Sequence, residues 1–377
     1  LAPWQVIKAI KVYVLSQLEY PLRHIRCTTT ELKGFTAHLY KTLRHMLRLP
    51  MNTTTAFFAA PLCSGGLGLL PLDEYRDALL LANAYKLLHS PDPQIQHIAR
   101  AQLKSVIAHR FNVTEATLTA GGDQILQNFL NGTLASQEIL PLKNPKDIPN
   151  WWNDLVHVLS RANLQFSSVG EDHFSIQTLF SPKHVTAKNV TANVKLQFKV
   201  LAATKWAAMK DQGRTVDLHG DMGSKFMSSG VDLWDQDYRF ALAGRLNQVD
   251  TRSVLKRRRL RPNGDCRHCG SVQPETLAHV LQRCPYNEDQ IRKRHDEVLA
   301  LIVSAVTKSN PNATVLVNQT VPNFEGPILK PDIQVYQLRE NREEAIILDL
   351  AIAYEDSEIK DGLDVFQRTA EGKNLKY

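Results

Sequence analysis

The chain has 377 residues, of which 43% are hydrophobic and 22% are charged. This composition is typical of globular proteins, and the length predicts two to four domains. The sequence contains no run of about 18 uninterrupted apolar residues, which excludes a recognisable membrane span. The net charge of +7 is uneven, since residues 1–60 and 251–300 are basic and residues 331–377 are acidic. Basic patches beside an acidic segment fit a protein that binds phosphates in one place and metal in another. Ordinary solvated charge would give the same distribution.

Residues 1–110 are predicted to be helical, and the best-defined helix begins at Thr28. Glu31 follows three residues later, which is typical of a capping box. Apolar residues recur at helical spacing at Leu32, Phe35, Leu39, Leu43 and Met46. A second face carries the basic residues Lys33, Lys41, Arg44 and Arg48. This basic stripe would suit contact with a nucleic-acid backbone, although a solvated surface explains it as well.

The stretch Gly65-Gly66-Leu67-Gly68 predicts a flexible turn. It lacks the Lys-Ser/Thr pair of a phosphate-binding loop, so we do not interpret it as one. Further helices are predicted over 72–88, 195–215 and 234–246 from their apolar spacing.

Three of the five cysteines lie close together in the pattern Cys266-x2-Cys269-x9-His279-x4-Cys284. This spacing indicates a metal site and not a disulfide framework. Two thiolates on a tight turn and two ligands at helical spacing can form a tetrahedron around zinc. Four protein ligands leave no open position, so such a zinc would be structural.

A run of positive charge precedes this motif and consists of Lys256, Arg257, Arg258, Arg259 and Arg261. Five positive charges in six residues predict contact with nucleic-acid phosphates. A nuclear-localisation signal or a solvated tether would explain the run as well.

The C-terminal region predicts two strands, over 328–337 and 345–354, joined by a polar loop over 338–344. The second strand is rich in Ile and Leu and is expected to be buried on both faces. Its charged residue is Asp349, and a carboxylate in such a strand is costly unless it is paired or metal-bound.

If the strands form a hairpin centred between Glu340 and Asn341, Asp332 lies directly opposite Asp349. Cross-strand partners have Cβ atoms about 5 Å apart, so the two carboxylates could share Mg²⁺ or Mn²⁺. Lys373 and Lys376 follow on a predicted helix and could stabilise developing charge. An exposed Asp after a proline and an unrelated strand Asp remain the alternative.

The order Pro331-Asp332, Asp349 and Lys373-x-x-Lys376-Tyr377 resembles the restriction-like endonuclease of site-specific non-LTR retrotransposons. The Cys/His pattern with Glu275-Thr276 is similar to the zinc knuckle of that family, and Arg294-His295-Asp296 to the motif that follows it. Upstream, Leu49-Pro50, Gly65-Gly66-Leu67-Gly68, and Trp206 with Gln212-Gly213 resemble its thumb and linker. The similarity is strong over 250–377 and diffuse over 90–200.

The resemblance implies an α+β protein with a helical thumb over 1–115, a linker over 116–245, a CCHC knuckle over 246–300 and a nuclease core over 310–377. It implies a nuclear enzyme that nicks target DNA to prime reverse transcription on the element's RNA. Zinc and Mg²⁺ or Mn²⁺ are the expected cofactors, and neither a membrane nor a small-molecule substrate is expected.

The polymerase palm, with its paired aspartates, has no counterpart in the sequence, so DNA synthesis by this chain alone is not expected. The family's nuclease continues past the motif that ends at Tyr377, so an incomplete nuclease fold is expected. The alternative is a catalytically inactive nucleic-acid-binding fragment of a decayed element.

Overall fold

The computed structural model describes residues 1–25, 27–134, 150–168, 174–177, 185–214, 216, 224–230, 233–270, 273–321, 328–339, 342–354 and 365–375. The architecture is α+β, as the sequence predicts, with a majority of helix and two small sheets among these residues. The chain divides into two compact units, Leu1–Leu242 and Ala243–Tyr377. Within the described residues, none of the helices has the length and apolar character needed to cross a membrane.

Helices build most of the first unit. Strands β1 (Gln165–Ser168) and β2 (Phe174–Gln177) form an antiparallel pair within it. The helical segments are Pro3–Ala9, the π-helical turn Ile10–Val14, Leu15–His24, Thr29–Met46, Thr55–Ala59, Leu62–Ser64, Leu72–Leu88, Pro93–Phe111, Glu115–Leu130, Trp151–Ala162, Val190–Ala207, Phe226–Ser229 and Asp235–Arg245, which runs past the unit boundary.

The helix Leu72–Leu88 lies in the core of this unit and has the bounds predicted from its apolar pattern. It packs against Val190–Ala207 and Trp151–Ala162. It also buries one charge, because Asp77 is only 1% exposed. The Arg161 Nε donates to Asp77 Oδ2 at 2.9 Å, and Arg76 pairs with the other oxygen at 3.0 Å. The buried carboxylate is therefore fully paired.

The helix Thr29–Met46 begins with the predicted capping box. The Thr28 hydroxyl accepts from the Glu31 amide at 3.2 Å, and the Glu31 carboxylate accepts from the Thr28 amide at 2.9 Å. The buried face is shifted from the predicted one: Leu32 and Leu43 are buried as predicted, but Phe35 is 68% exposed. Tyr40 and Thr36 face the core instead, where Tyr40 donates to the Leu69 carbonyl and Thr36 accepts from the Leu72 amide. These hydrogen bonds fix the rotation of the helix.

The prediction of a helix over 195–215 is wrong at both ends, because the helix spans Val190–Ala207. The residues that follow turn back on the helix, where Trp206 Nε1 donates to the Gln212 carbonyl at 2.7 Å. Trp206 is fully buried and meets the Phe57 ring edge to face. This packing ends the helix earlier than its apolar spacing indicates.

The second unit contains the sheet β3 (Thr314–Val317), β4 (Ile333–Arg339) and β5 (Arg342–Leu348), antiparallel and in that order. Leu299, Ile333 and Val335 form the buried cluster at this sheet. The helix Glu288–Ser309 contributes Leu299 and packs on β3. The remaining helical segments of the unit are Arg252–Arg257, the π-helical turn His279–Arg283, Pro285–Asn287 and Val365–Asn374.

Three predictions for the hairpin need correction. The polar loop predicted over 338–344 is mostly strand, because β4 continues to Arg339 and β5 begins at Arg342. The second strand ends at Leu348 and not at 354. It is not buried on both faces, since its last three residues are 36–43% exposed. In the described part of the chain β5 is an edge strand, so nothing pairs along its outer side.

Candidate functional site

The structure brings the four predicted zinc ligands together. The ligand atoms of Cys266, Cys269, His279 and Cys284 all lie within 4.8 Å of one another. Cys266 Sγ lies 3.8 Å from Cys284 Sγ, and Cys269 Sγ lies 3.4 Å from His279 Nε2. A tetrahedral zinc with Zn–S bonds of about 2.3 Å and Zn–N bonds of about 2.0 Å gives edges of about 3.8 and 3.5 Å. The group could therefore hold a metal ion such as zinc.

Short backbone contacts place these ligands. The Cys266 amide donates to the Gln273 carbonyl at 3.1 Å, next to the bridge between Asp265 and Pro274. Gly270 has a φ of 62°, a left-handed conformation that glycine adopts without strain, so the turn after Cys269 can close. Burial raises the pKa of the Cys284 thiol. A hydrogen bond from the Tyr286 backbone lowers this pKa, but burial is the larger effect. Zinc, when bound, would favour the thiolate form of this sulfur.

Glu275 fixes the metal-binding turn from inside the unit. It is 2% exposed, and its carboxylate accepts from the Arg252 and Arg267 amides, both at 2.9 Å. The Arg267 guanidinium adds a bond from Nε to Oε2 at 2.8 Å. Burial would raise the pKa of Glu275, but the Arg267 side chain and the two amides lower it to about 2. The sequence motif Glu275-Thr276 identified this position but did not predict that Glu275 would fix the metal-binding turn.

The two aspartates of the predicted metal site lie side by side. The strands β4 and β5 pair from Ile333 opposite Leu348 to Arg339 opposite Arg342. This is the register predicted for a hairpin centred between residues 340 and 341. Asp332 and Asp349 lie one residue beyond this pairing, and their carboxyl groups hydrogen-bond to each other. The Leu350 amide donates to Asp332 Oδ2 at 2.6 Å. The hairpin thus points both carboxyl groups to one side.

Two cationic or titratable groups contact this pair. Lys373 Nζ lies 2.9 Å from Asp349 Oδ2, and His295 Nε2 lies 3.5 Å from Asp332 Oδ2. Burial and then the hydrogen bond with Asp349 raise the pKa of Asp332, while the Leu350 amide and His295 act against this rise. The sequence placed His295 in a motif but gave no reason to expect it beside Asp332. Lys376, the other predicted lysine, lies outside the described residues.

The predicted basic run is partly engaged in the fold. Arg258 pairs with Asp250 at 2.8 Å, and the Arg257 guanidinium donates to the Asn247 carbonyl at 3.0 Å. Lys256, Arg259 and Arg261 are exposed. In the parts of the chain that the structure describes, these three form no ion pair, so they keep free charge for an anionic partner.

The predicted basic stripe on the helix Thr29–Met46 needs one correction. Arg44 is 8% exposed, and its Nε and Nη2 both donate to the Thr53 carbonyl, at 3.2 and 2.7 Å. Its guanidinium also lies 5.2 Å from the centre of the Phe58 ring. Arg44 is therefore a structural residue that cannot reach a phosphate. Lys33, Lys41 and Arg48 remain exposed.

Comparison with known proteins gives one short similarity. No protein-family model matches the chain. A stretch of 72 residues, 19% of the chain, is 35% identical to the "Retrovirus-related Pol polyprotein from type-1 retrotransposable element R2" of Popillia japonica, and it covers 11% of the length of that polyprotein. This similarity, together with the Cys/His group, supports a retrotransposon-related function for the chain.

Proposed function

We propose that the chain acts in a non-LTR retrotransposon protein as a metal-dependent endonuclease that nicks target DNA, so that the intact protein primes reverse transcription at the nick. The observation that carries this proposal is the convergence of Asp332, Asp349 and Lys373 at the open end of one hairpin. Two acids at the open end of a hairpin and a lysine from a following helix can bind a divalent cation and stabilise the charge that develops in phosphodiester hydrolysis.

The donor set of the aspartate pair fits a hard divalent cation. Mg²⁺ and Mn²⁺ prefer carboxylate oxygens, and two carboxyl groups in mutual contact repel each other unless a proton or a cation lies between them. The pKa of Asp332 is raised by burial and then by Asp349, as this repulsion predicts. A cation held by the two aspartates would polarise the phosphodiester and activate a water molecule.

Lys373 supplies the positive charge at this site. Its ammonium group, 2.9 Å from Asp349, orients that carboxylate. The same group can stabilise the negative charge that develops on the phosphate during cleavage. Lys376, which lies outside the described residues, is the alternative lysine for this role in the proposal.

The remaining predicted residues would hold nucleic acid near the nuclease. Zinc bound by the four Cys/His ligands acts as a structural ion that shapes the knuckle. The exposed Lys256, Arg259 and Arg261 contact phosphates of target DNA or element RNA, and Lys41 and Arg48 do so on the first unit. Contact with chromosomal DNA places the protein in the nucleus.

A second candidate is a nucleic-acid-binding protein without nuclease activity. It is favoured by one observation. Among the described residues, the side chains that come together as a possible metal site are the four Cys/His ligands, and the aspartate pair with His295 is not such a group. The basic residues and the knuckle would serve this function equally well.

Nicking of a supercoiled plasmid by the zinc-loaded intact protein that contains this chain separates the two candidates. We expect open-circular product in the presence of Mg²⁺ and none with EDTA. Asp349→Asn keeps the shape of the side chain and removes its charge, so it should abolish nicking while DNA affinity changes less than twofold. Asp289→Asn is the matched control, because the Asp289 side chain is 86% exposed and pairs with Arg292 at the surface.

Lys373→Gln should lower the nicking rate more than the affinity for the cation, because the lysine acts on transition-state charge. Full nicking by Asp349→Asn would overturn the nuclease assignment. If the unmodified protein binds DNA without Mg²⁺ and does not nick it when Mg²⁺ is added, the second candidate is favoured.

A further inference from the structure

Two lysines from distant parts of the sequence meet beside the glycine-rich loop of the first unit. Lys11 lies in the π-helical turn Ile10–Val14, and Lys199 lies on the helix Val190–Ala207. A Cβ atom placed on Gly68 would be 3.4 Å from Lys11 Nζ and 3.8 Å from Lys199 Nζ. Both ammonium groups therefore border the same small space, which exists because residue 68 has no side chain.

These two positive charges have no acidic partner in the described parts of the unit. Burial and then the charge of Lys199 lower the pKa of Lys11 to about 8. Burial and then the charge of Lys195 lower the pKa of Lys199. Lys195 itself is neutralised by Glu19. A lysine that only extends along the surface keeps its ammonium group in water, whereas these two are partly buried and repel each other.

The glycine-rich loop provides space for an anion but does not provide backbone N–H groups to bind it. Gly68 has a φ of 66°, which disfavours any side chain at this position. The amides of Gly66, Leu67 and Gly68 already donate to the carbonyls of Pro61, Phe57 and Ala60. An anion in this space would therefore be held by the lysines alone. The loop has no lysine next to it in sequence, which is why the motif does not predict a phosphate loop, but the fold supplies two lysines from elsewhere.

We propose that Lys11 and Lys199 bind a backbone phosphate of nucleic acid in the space beside Gly68. Compact ammonium groups act as point charges toward phosphate and lack the planar fork that pairs with a carboxylate. The surrounding segment also favours a polyanion over a small anion, since residues 1–60 carry eight Lys/Arg against two Asp/Glu. The choice of nucleic acid as the ligand rests on the proposed function, although the site lies in the other unit from the aspartate pair.

Binding of the zinc-loaded chain to labelled duplex and single-stranded oligonucleotides, measured over a series of NaCl concentrations, tests this proposal. One lost phosphate contact lowers the salt slope by about 0.9 on duplex DNA and about 0.7 on a single strand. We expect this change for Lys11→Gln/Lys199→Gln. The control Lys210→Gln/Lys308→Gln removes the same charge at two exposed positions and should leave the slope unchanged. Equal slopes for the two double variants would overturn the proposal.

Amine labelling followed by mass spectrometry tests the site without mutation. Bound oligonucleotide should slow the labelling of Lys11 and Lys199 at least threefold, with Lys210 and Lys308 unaffected. Inorganic phosphate at the same phosphate concentration should not protect them. Protection by inorganic phosphate alone would show a small-anion site, and no protection by oligonucleotide would show that the lysines bind no phosphate.

The two proposals fail separately. Lys11→Gln/Lys199→Gln should keep Mg²⁺-dependent nicking at saturating DNA, because the aspartate pair is untouched. Asp349→Asn should keep the protection of Lys11 and Lys199 by oligonucleotide.

Discussion

The substitution Glu275→Gln should loosen the metal-binding turn without changing a metal ligand. The glutamate carboxylate joins the backbone of Arg252 and Arg267 and binds the Arg267 side chain. Glutamine keeps one acceptor oxygen but loses the charge that these donors stabilise. We therefore expect the turn to open more easily while its four ligands stay in the sequence.

The magnitude follows from the pKa of Glu275. The folded protein lowers this pKa from 4.5 to about 2, and each pKa unit corresponds to about 1.4 kcal/mol. The ionised form therefore adds about 3 kcal/mol to the free energy of unfolding at neutral pH. Because the folded pKa is depressed, this contribution is complete above pH 4.5 and is lost as the pH falls toward 2.

Hydrogen exchange on peptides that cover residues 264–284 measures the opening free energy of this turn. We expect Glu275→Gln to lower it by about 3 kcal/mol at pH 7, and the difference from the unmodified chain should shrink below pH 4.5. All five tryptophans lie within residues 1–242, so their fluorescence should report an unchanged first unit. The control Glu297→Gln removes an exposed pair with Lys293 and should cost less than about 0.5 kcal/mol. A cost below about 1 kcal/mol for Glu275→Gln would show that the ionised carboxylate does not hold the turn closed.

Three further outcomes follow from the structure. Zinc analysis should give one ion per chain, and Cys269→Ser should lose it; equal zinc in both proteins would contradict the ligand assignment. Replacing Lys256, Arg259 and Arg261 by glutamine should lower the salt slope of duplex binding by up to about 3, at about 0.9 per contact; an unchanged slope would show that these residues are solvated. Asp77→Asn should destabilise the first unit by about 3–5 kcal/mol, because it leaves a buried ion pair broken; urea unfolding followed by tryptophan fluorescence checks this, and a loss below about 1 kcal/mol would contradict it.

Local features of the site could be predicted from the sequence because they depend on spacing along the chain. The Cys/His spacing alone identified four side chains that meet in space. The hairpin register followed from the position of its turn, since cross-strand pairing fixes which residues lie opposite each other. This placed Asp332 beside Asp349 even though the predicted strand bounds were wrong.

Features that depend on distant neighbours could not be predicted in the same way. The sequence placed Arg44 on the basic face of its helix, and only the Thr53 carbonyl and the Phe58 ring, which it meets in the fold, bury it. The exposure of β5 depends on whether another element covers it. The meeting of Lys11 with Lys199 depends on the packing of segments far apart in sequence.

Binding of Mn²⁺ tests directly whether Asp332 and Asp349 form one divalent-cation site. Titration of the zinc-loaded chain with Mn²⁺, followed by the loss of the free-ion electron paramagnetic resonance signal, counts bound cations. We expect one Mn²⁺ bound to the unmodified chain, displaced by excess Mg²⁺, and none bound to Asp332→Asn/Asp349→Asn. Equal Mn²⁺ binding by the unmodified chain and the double variant, or no binding by either, would contradict this expectation.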